Sequence, residues 1–472
     1  MSIEEYADVT VVGAGLAGLV AARDVRRAGL SVIVVEARDR VGGRTWNRPM
    51  PGGWTIEAGG QYIGPTQDRL AALAEDVGVE TFPTHHEGRT TWRGARVPET
   101  FELARPVLDE LDRLAAQIPG EAPWRAERAG EWDAETLHTW LSRRVTEPTT
   151  MALLRLVFSA VLAAEAEELS LLHVLTYIRS AGSTSMLTDV AGGAQERRFS
   201  GGSHLLAIRL AERLSSPPGA DGAGADGGGA VGGGGVRLDS PVRRIRHGRD
   251  GAVVEAAGRS ITSRRVIVAV PVALGDRIGY EPGLPGRRQL HQRMATGVTI
   301  KIHCRYEEPF WRAAGRSGSA LSPEEWVSAV FDDSPPDRGH GVLMGFVVAD
   351  RARALARLPA GDRRSAVLGS LARYFGRQAM RPTHYAETDW STEDWTHGCY
   401  GSNLPPGAWT RYGPALRESV GAIHWAGAET SAVWMNYMEG AVRSGERAAA
   451  EVVAAVAGVP GGAPGRPGGT TE

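Results

Sequence analysis

The chain has 472 residues, enough for two large domains and an ample buried core. Its 53 basic and 55 acidic residues leave a formal charge of −2, so no global basic field points to nucleic acid, and its two cysteines, Cys304 and Cys399, exclude a disulfide framework or a multi-cysteine zinc site. No run of about 20 uninterrupted apolar residues reads as a membrane anchor, and the acidic start MSIEEYADV lacks the basic flank of a signal peptide, so the expectation is a soluble cytoplasmic protein.

The strongest local pattern comes first. DVTVV reads as a strand, GAGLAG as a turn carrying Gly13, Gly15 and Gly18, the next residues as a helix ending near Gly29, and SVIVVE as a second strand ending at Glu36. The three glycines serve a tight turn, the close approach of backbone to a pyrophosphate, and the packing of helix on strand. Phosphates would lie at the positive end of the helix, and Glu36 would accept hydrogen bonds from a ribose diol. The motif predicts a dinucleotide and leaves NAD and FAD both open. ARDRVGGRTW then adds a second glycine pair and Arg44, which would neutralise phosphate or pair with a carboxylate near the cofactor.

Further along, HH at 85 and 86 has no partner cluster and reads as loop, so no metal site is expected. MALLRLVFSAVLAAEAEELSLLHVLTYIRSAG repeats apolar residues at three- and four-residue steps and reads as helices. Residues 216–235 are a Gly-rich insertion with almost nothing to bury, expected to be flexible and to sit within one domain. VRLDSPVRRI and AVVEAAGRSITSRRVIVAVP read as strands, with the arginine cluster PVRRIRHGR a solvated loop and strand edge. VTIKIHCRY and GVLMGFVVAD read as strands and ADRARALARLPAGDRRSAVLGSLARYFG as helices, and the tail 459–472 is expected to be disordered.

VTIKIHCRY contains the only lysine of the chain, Lys301, between two isoleucines. Arginine stays charged everywhere, whereas a buried lysine amine is compact and shifts its pKa, so a single lysine on an apolar strand reads as a functional candidate.

The motifs GAGLAG, VVEARDRVGGRT and GGQYIGPTQ, followed in order by AQERRFSGGS, VTIKIHCRYEEPFWR, THGCYGSNLPPG and WAGAETSAVWMNYMEGAVRSGERAA, resemble the flavin-containing amine oxidases, specifically the monoamine oxidase branch. The resemblance covers nearly the whole chain, implies FAD as cofactor and an amine and O2 as substrates, and fits a homodimer. It implies an α/β fold: a Rossmann-like FAD-binding domain with a parallel sheet (1–81, 200–290 and 393–458) and a discontinuous α+β substrate domain of mixed sheet and helices (82–199 and 291–392).

The same resemblance implies roles for particular residues. Lys301 would face the flavin N5 through a water. Tyr400 and Tyr437 would flank the substrate amine, and the helix starting after Tyr437, with Met438, would place its N-terminus at the flavin N1 and C2 carbonyl. Cys399 would carry the flavin 8α carbon as a thioether, with Trp390 upstream, although His397 departs from the small residue of the family. Glu429 would lie by the pyrophosphate and ribityl chain near Gly427. Arg38, Gly43, Gly60, Gln61, Tyr62 and Val242 complete the expected cofactor contacts. Gln195 would line the substrate cavity, and Ala329 would stand where mammalian members carry a bulky gate, leaving a longer or wider cavity. The rival readings are a diamine or polyamine oxidase, needing an acid at the far end of the cavity, an L-amino acid oxidase, needing an arginine, and a biosynthetic flavin dehydrogenase. A flavin-binding module without turnover is the remaining alternative.

Overall fold

The structure is a computed structural model that describes residues 3–51, 53–93, 97–216, 235–336 and 339–458. Most of the Gly-rich insertion at 216–235 and all of the tail at 459–472 fall outside the described residues. The opening motif folds as β1 (Ile3–Val12), α1 (Leu16–Arg27) and β2 (Val32–Val35). β1 begins five residues before DVTVV, because Ile3–Ala7 pair in parallel with Arg259–Ser263 even though their exposed, acidic stretch shows no apolar alternation. Gly13 has φ +105°, and a Cβ on Gly18 would stand 1.9 Å from the Gly13 carbonyl oxygen, so both positions require glycine.

β1 lies at the centre of an eight-stranded sheet. Its core is parallel: Gly235–Arg237, β2, β1, Arg259–Val268 and Ile423–Trp425. An antiparallel excursion through Val242–His247 and Ala252–Ala256 extends one edge, so the stretch read as one strand over 236–245 is two strands in different places. The buried face of α1 packs against the helix Met438–Ala457, where a Cβ on Gly445 would meet the Ala17 carbonyl oxygen at 2.4 Å.

The second large sheet has six strands in the order His384–Asp389, Thr299–Tyr306, Gly341–Val348, Ala329–Asp332, Arg316–Leu321, Arg89–Trp92. All its pairs are antiparallel except the last. Helices Val97–Ala115, Pro148–Leu162 and Leu171–Ala181 share a core that includes Trp132, Trp140, Trp409 and Trp434. Among the described residues, no helix is long and apolar enough to cross a membrane.

Candidate active site

A cavity of about 750 Å³ runs from the β1–α1 turn to the six-stranded sheet. At its first end lies the N-terminus of α1, capped by Gly15 with no side-chain hydrogen bond and no acid in the first turn. The space where a Gly15 Cβ would project is open for 4 Å. An uncapped helix start facing open space suits an anion, because its first N–H groups have no other partner. Glu36 stands at the end of β2 and accepts from the Ala14 N–H at 2.7 Å and the Arg38 N–H at 3.0 Å. Arg38 in turn reaches Glu393 at 3.1 Å and the Thr396 hydroxyl.

Midway, Arg44 meets Glu429 with two hydrogen bonds, of 2.7 and 2.9 Å, and also donates to the Tyr400 carbonyl at 2.9 Å. Burial opposes both charges, yet each holds the other ionised: the guanidinium pKa lies above its ordinary value and the carboxylate pKa below. Of the two partners expected for Arg44, the structure places the carboxylate. Glu429 itself stands behind the cavity wall, as does Gly18. A second uncapped helix start, at Tyr437, reaches the cavity here. Its first-turn acid, Glu439, turns away and accepts from the Leu70 and Arg69 N–H groups. Cys399 is buried, and desolvation pushes its thiol up to about 12.

Lys301 projects into the cavity from the six-stranded sheet and is 2 % exposed. Its ammonium donates to the carbonyls of Glu57 at 2.7 Å and Gly59 at 2.8 Å, and to Gln61 Oε1. Desolvation pulls its pKa down to about 8, against the attraction of Asp333 and Glu57. Its cross-strand neighbours continue in one line: Lys301 faces Phe346, Phe346 faces Ala329, Ala329 faces Leu321, and Leu321 faces Trp92. Cross-strand partners point to the same face of a sheet, and all five line the cavity, so one row of side chains paves its floor for about 19 Å at about 4.8 Å per strand.

Both tyrosines of the aromatic pair line the cavity, with Tyr400 against the near end of that floor. Tyr400 meets Phe346 edge-on, with centroids 5.6 Å apart, while Tyr437 packs against Trp434 at 4.8 Å and Tyr177 at 6.0 Å. Burial raises the pKa of both tyrosines, so they are neutral phenols. Gln195 lines the wall, donating to the Leu187 carbonyl while its Oε1 is buried without a partner. Gly13, Gly43, Gly60, Tyr62, Val242, Trp390 and Gly427 also line the cavity, together with Met438. His86, read as plain loop, lines it too, as do Trp395 and Thr396, which nothing local in the sequence had marked.

A dinucleotide cradle therefore opens directly onto an apolar channel floored by a strand that carries a buried lysine. The sequence model of the flavin containing amine oxidoreductases matches residues 16–453. The chain belongs to this family. AofH of Mycobacterium tuberculosis, named as a flavin-containing monoamine oxidase, is 40 % identical over 463 residues, spanning 95 % of this chain and 96 % of that one. A solved putrescine oxidase bound to putrescine superposes with a TM-score of 0.88 at 36 % identity, over 96 % of this chain and all of that one. The cyclohexylamine oxidase of Brevibacterium oxydans IH-35A superposes with a TM-score of 0.86 at 31 % identity, over 95 % and 99 %. The enzyme is thus an FAD-dependent amine oxidase. The uncapped α1 start, the open space at Gly15 and the position of Glu36 fit the dinucleotide half of that cofactor.

Proposed function

We propose that the enzyme oxidises primary monoamines with apolar side chains, and that the row Lys301–Phe346–Ala329–Leu321–Trp92 is the floor along which the substrate lies. That row is the observation carrying the reading: four of its five side chains are apolar, and the small Ala329 leaves the channel open along its length. Among the described residues lining the cavity, the carboxylates are Glu36, engaged by two backbone N–H groups, and Asp189, which is exposed. The lining arginines are also engaged: Arg38 by Glu393, Arg44 by Glu429, and Arg277 by the Asp394 carbonyl and His397. A distal ammonium or a substrate carboxylate would therefore lack a buried counter-charge.

Bound in the cavity, FAD would take two electrons and a hydrogen from the carbon beside the amine nitrogen and pass the electrons to O2. The rings of Tyr400 and Tyr437 would hold the amine, their faces favouring its nitrogen and their neutral hydroxyls adding no charge. Gln195 Oε1 would accept a hydrogen bond from a bound substrate. Lys301 would set its positive charge beside the near end of the floor and assist oxygen. The Cys399 thiol is proposed as the attachment point for the flavin. Denaturing the purified protein in acid tests this: colour that stays with the precipitate supports a covalent bond, and colour released into solution overturns it. The strands of the large sheet all come from 1–81, 200–290 and 393–458, and those of the six-stranded sheet from 82–199 and 291–392, which supports the two-domain division.

Diamine oxidation is a second reading, favoured by the likeness to putrescine oxidase and by Asp189 at the cavity wall. Anaerobic mixing separates the two. Phenethylamine and n-alkylamines should bleach the flavin much faster than putrescine or L-amino acids, and faster bleaching by putrescine would replace the first reading with the second.

A further inference from the structure

Behind Lys301, on the side away from the cavity, lie three charged side chains from distant parts of the chain: Glu57, Arg198 and Asp333. Arg198 donates to Glu57 at 2.9 Å, approaches Asp333 Oδ1 at 3.0 Å and donates to the Asp333 carbonyl at 3.0 Å. The second oxygen of Glu57 accepts from the Ser203 N–H at 2.9 Å. Asp333 Oδ1 also accepts from Gln61 Nε2 at 2.7 Å, and Gln61 Oε1 accepts from Lys301. All five side-chain-bearing residues, Glu57, Gln61, Arg198, Lys301 and Asp333, are at most 8 % exposed.

The ammonium touches no carboxylate. Its three acceptors are two carbonyls and the Gln61 amide, and the nearest hydrogen-bonded route to a negative charge runs through that amide to Asp333. The amide has one workable orientation, since a flip would set its NH2 against the ammonium and its oxygen against the carboxylate. Glu57 is already divided between Arg198 and Ser203. The other titratable or charged groups facing the lysine supply no anion. Desolvation, the neighbouring Lys301 cation and two arginines hold His303, two residues along the same strand, neutral, and burial keeps Cys399 a thiol. Arg198 is a cation.

We propose that Asp333, acting through the Gln61 amide, is the positioning residue that keeps Lys301 an aimed, three-donor ammonium, with Arg198, itself anchored by Glu57, holding Asp333 in place. Loss of the proton leaves two N–H groups for three acceptors and exposes a lone pair, so the protonation state decides which direction the amine can serve. The catalytic consequence rests on the proposed role of Lys301, but the arrangement itself can be tested without turnover.

The test uses the fact that the chain has a single lysine. Protein grown on lysine labelled with 13C at Cε gives one lysine resonance, which is followed in the FAD-loaded protein from about pH 6 to about pH 11. Asp333→Asn keeps the size and the acceptor for Gln61 but removes the charge, and should lower the titration midpoint by about 1 pH unit or more, while Asp333→Glu should restore it. An unchanged or raised midpoint in folded, flavin-loaded Asp333→Asn overturns the proposal. Where that variant does not fold, Gln61→Met, which removes the bridging amide, must lower the midpoint, and an unchanged midpoint there overturns it equally. A wild-type enzyme that oxidised no amine would refute the functional reading and leave this titration to be judged by itself.

Discussion

Lys301 and Ala329 are the two cross-strand neighbours of Phe346, so the sole lysine and the small residue of the channel lie in one row, two strands apart. Two strand spacings are about 10 Å, roughly the length of a phenethylamine-sized side chain. A side chain added at Ala329 would therefore meet the far end of a bound amine and leave the reacting end alone. Ala329→Phe should lower kcat/KM for phenethylamine by at least about tenfold, equivalent to about 1.4 kcal/mol, and change it for a three-carbon alkylamine by less than about threefold. Equal losses for both amines would mean that the row is not the substrate path.

In the Arg44–Glu429 pair the carboxylate is fully buried and the guanidinium partly so, and the pair is doubly hydrogen-bonded and tied to the Tyr400 carbonyl, so it fixes the chain on which one of the two proposed cage tyrosines sits. Glu429→Ala leaves the guanidinium without its counter-charge and should cost about 3–5 kcal/mol in urea unfolding at neutral pH, with flavin content falling in the purified protein. Because the folded pKa of Glu429 lies below its ordinary value, this contribution is present at neutral pH and fades only as pH falls below the usual carboxylate range. A loss that disappeared at neutral pH and appeared only in acid would contradict the pairing.

The parts of the site legible in the sequence are those that local geometry encodes. Gly13, Gly15 and Gly18 specify a strand–turn–helix by themselves, and Lys301 announces itself by being alone. The charged frame around the lysine was not legible. Glu57, Arg198 and Asp333 sit in segments more than 100 residues apart, each with ordinary charged neighbours, and only the tertiary fold closes them into contact. Arg198 does lie in AQERRFSGGS, one of the stretches that carry the family resemblance, and Asp333 lies four residues after Ala329, and that was the only available signal. The paved floor was invisible because it depends on pairing register: four of its strands follow one another in the chain but pair in a different spatial order, and the fifth, Arg89–Trp92, comes from more than 200 residues upstream. Glu429 was expected beside the cofactor, and the structure sets its carboxylate on Arg44, a pairing that spacing cannot reveal.

Lys301→Met separates two effects of the buried amine. In stopped flow it should slow reoxidation of the reduced flavin by oxygen far more than it slows flavin reduction by amine, and the reverse order would remove Lys301 from the oxygen step. In stability, the folded lysine titrates near about 8 against an ordinary 10.5, so the unfolded chain binds the proton more readily between these values. Native wild type is penalised below about pH 8, and the penalty fades as pH rises through that window. The stability of Lys301→Met relative to wild type should therefore be more favourable at pH 7 than at pH 10.5, by up to on the order of 3 kcal/mol. A difference independent of pH would place the lysine in a solvated environment.

His173 carries the acid-side counterpart. It is fully buried in the tryptophan-rich helical core, where Trp409 Nε1 donates to its Nδ1 at 3.2 Å and its Nε2 faces Asn403 Oδ1 at 3.1 Å. The Trp donor fixes Nδ1 as the acceptor, so the proton resides on Nε2 and the ring is neutral. Desolvation depresses its pKa to about 4, so the unfolded chain takes up a proton between the ordinary 6.5 and that value while the native state does not. Stability is lost as pH falls through that window, by on the order of 3 kcal/mol at its lower end. The loss reaches the site, because Asn403 also ties the segment after Tyr400 to the helix Pro148–Leu162 through the Leu162 carbonyl at 3.0 Å, and that helix supplies Val157 and Val161 to the cavity wall. His173→Gln should be less stable than wild type at pH 7, with the gap closing as pH falls from 6.5 to 4, and flavin release should follow the same curve in wild type. A gap that stays constant over this range would show that the ring is already charged, or solvated, in the native state.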